Sequence, residues 1–353
     1  MGVDYKIKSG TVTWQSPSNI ALVKYWGKKG FQLPANPSLS MTLANSVTET
    51  SVEFFQSNTP GKISLKFLFD GEKNVLFEEK IVKYFDTVSN ELTFLKEFHF
   101  TINSRNTFPH SAGIASSASA MSALALCICS IEQQLENGEE NHNRNFYRRA
   151  SYFARIGSGS AARSFFGGLA SWGKSDLIQG SSDLFATQFG QKINPVFEGF
   201  RDNILIVSKG EKEVSSRAGH ALMNDHPYAD TRYYQASANL KKLICAISEG
   251  DLKTFIEVVE NEALSLHAMM MASNPGFILF GANTLAIIRK IVAFRKQSGV
   301  NLCFTLDAGP NVHVLYPKRE SKIVDQFIGE RLLMHCENDI VIEDRMGKGP
   351  NRI

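Results

Sequence analysis

Four short clusters carry residue types that could do chemistry together. In the first, Lys24-Tyr25-Trp26-Gly27-Lys28, two ammonium groups flank an aromatic–glycine turn, and Lys24 lies in an otherwise apolar strand pattern. Such a lysine either snorkels to an edge or stands as a ready cation for a carboxylate or phosphate. In the second, Pro109 and Gly113 make a loop, and Ala115, Ser116 and Ser117 open an apolar helix. Small side chains let a ligand approach the backbone, and a helix start offers unpaired N–H groups and a positive dipole end. The hydroxyls of Ser116 and Ser117 can bond a phosphate or a bound metal. Read alone, this loop is equally an ordinary serine-rich cap in front of a core helix.

The third cluster is Ser158-Gly159-Ser160-Ala161-Ala162-Arg163, where two hydroxyls and a guanidinium converge. Arginine offers a planar fork suited to carboxylate or phosphate, although an isolated one beside a flexible turn is by default a surface residue. The fourth is Asp307-Ala308-Gly309-Pro310-Asn311. Asp307 follows an apolar strand, and is either a plain turn residue or a carboxylate placed to orient or deprotonate a hydroxyl. Ser216-Arg217 adds a further candidate anion contact.

Other chemistries find little support. The eight histidines show no metal-binding spacing, and His220, His226 and His267 lie in dissimilar contexts. No Walker A sequence or kinase-type glycine-rich strand loop is present. Cys127, Cys129, Cys245, Cys303 and Cys336 are odd in number and scattered, which argues for buried thiols in a reducing cytoplasm rather than a disulfide or zinc framework. A net charge of +3 is too small to argue for nucleic acid or a membrane surface. No secretory or myristoylation signal opens the chain, and the apolar run 118–131 falls short of the roughly 20 residues a membrane helix needs.

The elements that must position these clusters follow from periodicity. Strands are predicted at 11–14, 20–26, 39–43, 48–55, 63–69 and 98–102, and helices at 78–88, 117–135 and 145–154. After a reset near 190–202 come a strand at 204–207, helices at 232–249, 252–272 and 285–298, and a strand pair at 302–306 and 312–316. A helix at 323–333 and a strand at 339–343 close the pattern. The 353 residues therefore read as α+β in two halves, 1–190 with the phosphate loop and 191–353.

In this order the clusters resemble the superfamily of galactokinase, homoserine kinase, mevalonate kinase and phosphomevalonate kinase, and within it the mevalonate diphosphate decarboxylases. The resemblance rests on Asn19-Ile20-Ala21 leading to Lys24-Tyr25-Trp26-Gly27-Lys28, on the loop from Asn106 to Ala118, on Gly157 to Ser164, and on Asp307 to Asn311, and it runs from about Ser16 to Gly349. It implies a two-lobed fold with a deep central cleft, in which ATP phosphorylates the tertiary 3-hydroxyl of mevalonate 5-diphosphate. Loss of phosphate and carbon dioxide then gives isopentenyl diphosphate.

Carried over residue by residue, Asp307 and Lys24 are catalytic. Pro109, Gly113, Ala115, Ser116 and Ser117 hold ATP, with Ser117 at Mg²⁺. Tyr25, Trp26, Gly27, Lys28, Ser158, Gly159, Ser160, Arg163, Ser216 and Arg217 hold the substrate. The family further implies a homodimer, while thiols, charge and apolar-run length lead us to expect a cytoplasmic protein without nucleic-acid or membrane partners. The chain departs from the pattern at Lys80, where the family commonly has an arginine contacting substrate phosphate, at Ala161-Ala162, and at His110-Ser111. A decarboxylase of mevalonate 5-phosphate, a mevalonate 3-kinase and a non-catalytic metabolite sensor are the alternative readings.

Overall fold

A computed structural model describes residues 5–109, 116–210 and 216–353, with only the backbone described for Ser216 and Arg217. The first half is built on an eight-stranded sheet. Its central path runs from the closing strand Asn351–Arg352 through Ser9–Val23, Ser38–Gln56, Phe98–Asn106 and Ser64–Phe69 to Glu72–Lys73. Leu169–Trp172 pairs on Ser38–Gln56 and Thr187–Gln188 on Leu169–Trp172.

Two of these strands are longer than their sequence pattern predicts. The segments expected at 11–14 and 20–26 form one strand, Ser9–Val23, and those at 39–43 and 48–55 form Ser38–Gln56. Pro17 lacks a backbone donor, and the ladder absorbs it as a register shift between Pro17 and Asn19 rather than ending there. The first strand stops at Val23, so Lys24 lies just beyond it and not within it.

The helix Ser116–Asn137 lies against this sheet. Small residues let it approach closely, and hydroxyls pair across the contact: Ser16 Oγ with Ser122 Oγ at 2.6 Å, and Thr48 Oγ1 with Ser119 Oγ at 2.6 Å. By length and composition it could cross a membrane, longer than its apolar run predicts. In this structure 72% of its most apolar window is buried, as in a core helix. Trp14, Phe85, Phe98, Phe100, Ile102 and Phe153 fill the space around it. Their packing carries the first half, at about 25 cal/mol per Å² of apolar surface removed from water.

The second half is a four-stranded antiparallel sheet in the order Cys303–Thr305, Val312–Tyr316, Arg201–Leu205, Val341–Arg345. The helices Ala229–Glu249, Leu252–Met271 and Ala282–Ser298 match the predicted periodicity. The helix expected at 323–333 is interrupted. Ser321–Phe327 is followed by a wider π-type turn, Ile328–Leu332, and a 3-10 turn, Leu333–His335.

Backbone pairing and the Asp344 carboxylate tie the halves at the turn 44–46. Asp344 is buried, and its Oδ1 accepts from Ala44 N at 2.8 Å and Asn45 N at 2.9 Å while Oδ2 accepts from Ser46 N at 2.7 Å. Gly347 N donates to Thr42 O at 2.8 Å, and the chain then returns to pair with the first strand. Asp344→Ala strands these donors, and burying an unpaired donor costs about 1–3 kcal/mol. Urea unfolding should show a loss of at least that size, and unchanged stability would remove the carboxylate as a tie.

Candidate active site

Lys24 is the first residue beyond a strand end, where backbone groups lose their ladder partners. Side chains replace them: its N–H donates to Glu262 Oε2 at 2.8 Å and its carbonyl accepts from Asn36 Nδ2 at 3.0 Å. The Lys24 side chain is only 2% exposed, and its Nζ lies 3.0 Å from Asp307 Oδ1. Burial pulls the ammonium below the ordinary lysine range, and the Asp307 carboxylate opposes that pull. Asp307 itself is 26% exposed, in the loop after Cys303–Thr305. Its carbonyl accepts from Gly309 N at 2.7 Å and from His267 Nε2 at 3.1 Å.

Arg163 ends the 3-10 turn Gly159–Arg163 that follows the helix Arg144–Gly157. It is buried, so the default expectation of a surface arginine fails. Its Nη1 donates to Ser38 Oγ at 2.8 Å and its Nε to Asn19 Oδ1 at 3.3 Å, and its guanidinium stands 6.0 Å from the Tyr25 ring centre. Burial lowers it to about 10, with Asp307 acting against the shift. Ser158 and Ser160 lie on the same turn with hydroxyls 3.4 Å apart. A side chain on Gly159 would begin 2.7 Å from the Tyr25 hydroxyl, which accounts for glycine there.

The aromatic turn is clamped from the second half. His220 packs 4.3 Å from Tyr25 and 4.6 Å from Trp26, and its Nδ1 accepts from Gly27 N at 3.0 Å. Gly27 has φ +92°, and a side chain there would run into Tyr233. The Tyr25 hydroxyl is buried without a hydrogen-bond partner among the described residues, and Lys28 is half-buried at the end of the turn. His220 sits on the short helix Ser216–Ala221, whose first residue is Ser216; the side chains of Ser216 and Arg217 lie outside the described residues.

The helix Ser116–Asn137 opens with Ser116 half-buried and Ser117 exposed, and its first turn holds no acidic residue. Pro109 is half-buried on the approach, whereas Gly113 and Ala115, with His110 and Ser111, lie outside the described residues. Lys80 is exposed, its ammonium 5.2 Å from the Phe77 ring centre. A surface groove between Ala229–Glu249 and Leu252–Met271, lined by Tyr228, Tyr234 and Met269 among others, contains none of the predicted site residues. Among the described residues no three His, Cys, Asp or Glu side chains gather as a metal cluster.

The structure therefore brings Lys24, Tyr25, Arg163 and Asp307 together. It adds residues that sequence reasoning passed over: Asn36, Ser38, His220, Glu262 and His267. For Glu262 and His267 a signal was present, since both interrupt the apolar face of Leu252–Met271 formed by Phe255, Val258, Val259, Leu266 and Met270. The contexts of His220 and His267, dissimilar in sequence, converge here on hydrogen bonding.

Two family models match the chain: a diphosphomevalonate decarboxylase-like N-terminal domain over residues 16–184, and a mevalonate 5-diphosphate decarboxylase C-terminal domain over 203–348. The diphosphomevalonate decarboxylase of Gibberella zeae is 28% identical over 341 residues, 91% of this chain and 84% of that protein. A crystal structure of mevalonate diphosphate decarboxylase from Staphylococcus aureus is 32% identical with a TM-score of 0.81, covering 98% of each chain. A complex of MDDEF with MVAPP, AMPPCP and magnesium is 28% identical with a TM-score of 0.82, covering 98% of this chain and 99% of that one.

Burial lowers His220 to about 3 and His267 to about 4, so both imidazoles stay neutral near pH 7. His220 accepts at Nδ1 and carries its proton on Nε2; His267 donates from Nε2. The unfolded chain binds these protons near pH 6.5, above either folded value, so stability falls as pH drops from about 6.5 toward 4. Imidazole ¹⁵N NMR should find both rings as Nε2–H tautomers that do not titrate between pH 5 and 8. A ring titrating near 6.5 would overturn the assignment.

Proposed function

Because the chain belongs to the diphosphomevalonate decarboxylase family, we propose that it converts mevalonate 5-diphosphate and ATP to isopentenyl diphosphate, carbon dioxide, ADP and phosphate. The observation that carries this reading is the buried Lys24 held 3.0 Å from the partly exposed Asp307 carboxylate. A tertiary alcohol is a poor nucleophile and must be oriented and relieved of its proton. Asp307 accepts that proton as the alcohol oxygen bonds to the γ-phosphorus and the bond from that phosphorus to ADP breaks. Lys24 favours the charged form of Asp307 by attraction.

The new 3-phosphate then leaves with its bonding pair. The bond to the carboxylate breaks, its electrons form the carbon–carbon double bond, and carbon dioxide departs. No electron-sink cofactor is needed, because phosphate is the leaving group. Arg163, Ser158, Gly159 and Ser160 are assigned to the substrate's anionic groups, with Tyr25, Trp26, Gly27, Lys28, Ser216 and Arg217 toward the diphosphate. A helix start free of acidic residues suits ATP phosphates, with Ser116 and Ser117 as hydroxyl ligands and Pro109, Gly113 and Ala115 forming the loop. Ser117 would hold Mg²⁺, which supplies charge neutralisation at the transferred phosphoryl group.

Companion proposals are a division into 1–190 and 191–353, a homodimeric state and a cytoplasmic location. The last agrees with free thiols at Cys127, Cys129, Cys245, Cys303 and Cys336. The exposed lysine at position 80 bears on the mono- or diphosphate choice, since it lacks the bidentate fork of arginine. Mass-spectrometric product analysis with each mevalonate phosphate decides between them, and release of carbon dioxide from the monophosphate alone would replace the substrate named above.

Asp307→Asn keeps size and turn preference but removes the proton acceptor, worth roughly 10²–10⁴-fold in turnover. ADP and carbon dioxide formation should fall together by that factor in a folded, ATP-binding protein, and near-normal carbon dioxide release would sink the mechanism. Arg163→Ala removes charge-assisted contacts worth about 1.5–3 kcal/mol in kcat/KM. Arg163→Lys should recover only part of the loss, because a point charge cannot replace the fork. Equal activity of Arg163→Lys and the parent enzyme would reduce Arg163 to a bulk positive charge.

A further inference from the structure

Both members of the Lys24–Asp307 pair lie just outside regular strands. The ladder of the first strand ends at Val23 opposite Leu39, and Cys303–Thr305 ends before Asp307. A loop backbone at such a point has no ladder to set its position, yet the two side chains meet at 3.0 Å. One helix, Leu252–Met271, grips both backbones. Glu262 takes the N–H of Lys24 at 2.8 Å, and His267 donates to the carbonyl of Asp307 at 3.1 Å. Along the helix axis these two anchors stand about 7.5 Å apart at the ordinary rise per residue.

Each anchor is itself immobilised. Glu262 also accepts from Arg232 Nη2 at 2.5 Å, Arg232 Nη1 at 3.0 Å and Asn239 Nδ2 at 2.7 Å, so both carboxylate oxygens are fixed. His267 is buried with its ring 4.8 Å from Phe280. The Glu262–Arg232 ion pair is fully buried, and such a pair is weak evidence of stabilisation because well-packed apolar residues often replace it without loss. Its presence on a helix face that is otherwise apolar apart from His267 calls for a positional reason.

We propose that the helix Leu252–Met271 is a jig for the catalytic pair, with Glu262 and His267 as positioning residues that set the separation of Lys24 Nζ from Asp307 Oδ1. Neither touches the reacting atoms. Their effect passes through the backbones they hold, and its catalytic meaning rests on the reaction proposed above.

The test compares His267→Leu, which fills the space without a donor, with His267→Gln, which restores an N–H. A displacement of about 1 Å at a catalytic group can cost on the order of 10²-fold. In His267→Leu, kcat should therefore fall about 100-fold with KM changed less than about threefold, and His267→Gln should recover at least about tenfold of the loss. A folded His267→Leu enzyme with kcat within about twofold of the parent, a loss confined to KM, or no rescue by glutamine overturns the proposal.

Should His267→Leu not fold, two double variants carry the same question. Glu262→Gln with Arg232→Met keeps an acceptor for Lys24 N–H and should keep kcat, whereas Glu262→Leu with Arg232→Met should lose it; equal activity of the two overturns the jig. If the parent protein releases no carbon dioxide from mevalonate diphosphate, the reaction proposal fails, and crystal structures of the same variants still decide this one. The Nζ–Oδ1 distance should open beyond about 4 Å where the anchor is lost, and an unchanged distance overturns it.

Discussion

A lysine ammonium that is 2% exposed holds its proton less tightly than one in water. Removing it from water favours the neutral form, and only an opposing charge a few ångströms away restores the balance. Here the opposing charge lies 283 positions along the chain, on a loop of the other half. The two halves must therefore meet in fixed register for Asp307 to oppose the effect of burial on Lys24. The Asp344 carboxylate on the turn 44–46, the return of the chain end to the first sheet, and the helix gripping both loops all serve that register. A largely buried ion pair is a poor source of stability, which agrees with the catalytic role proposed for this one.

The pair is unequal in its exposure. Asp307 is 26% exposed while Lys24 is sealed, so the carboxylate is the member of the pair that an incoming group can reach, which agrees with the proposed role of Asp307 as proton acceptor. Arg163 adds a second buried cation within electrostatic reach of Asp307, and His220 and His267 add no charge. Lys24, Arg163 and Asp307 sum to one net positive charge, while Glu262 and Arg232 cancel one another. A centre of this balance favours an anionic ligand over a neutral one, and its buried donors are fixed before that ligand arrives.

Much of this was legible in the sequence because residue type and local order carried it. Gly27 and Gly159 mark places where the backbone passes within contact of Tyr233 and Tyr25, and the small residues from Ser116 onward mark a helix that presses on the sheet. Periodicity found most helices, since one apolar stripe suffices to define them. It divided the long strands, because a proline or turn former weakens the pattern locally while the ladder beside it continues. It could not find Glu262 as a partner of Lys24, or His220 as a partner of Gly27. Those contacts join residues 238 and 193 positions apart, and a single sequence records no such pairing.

The four clusters share a structural position at the ends of regular elements. Lys24 follows a strand, Asp307 follows a strand, Ser158 and Arg163 follow a helix, and Ser116 begins one. Inside a regular element the backbone is satisfied by its own ladder and faces no ligand. At an end, N–H and carbonyl groups need other partners, and side chains or ligands must supply them. Where side chains do so, as Glu262 and Asn36 do for Lys24, the chain gains a fixed point outside any ladder. Where a ligand would do so, as proposed for ATP at the start of Ser116–Asn137, a helix N-terminus offers N–H groups to an anion. Ends from both sheets meet at the Lys24–Asp307 pair. Residues scattered from Asn19 to Asp307 can thus work within a few ångströms, each held by an element whose regular part lies elsewhere.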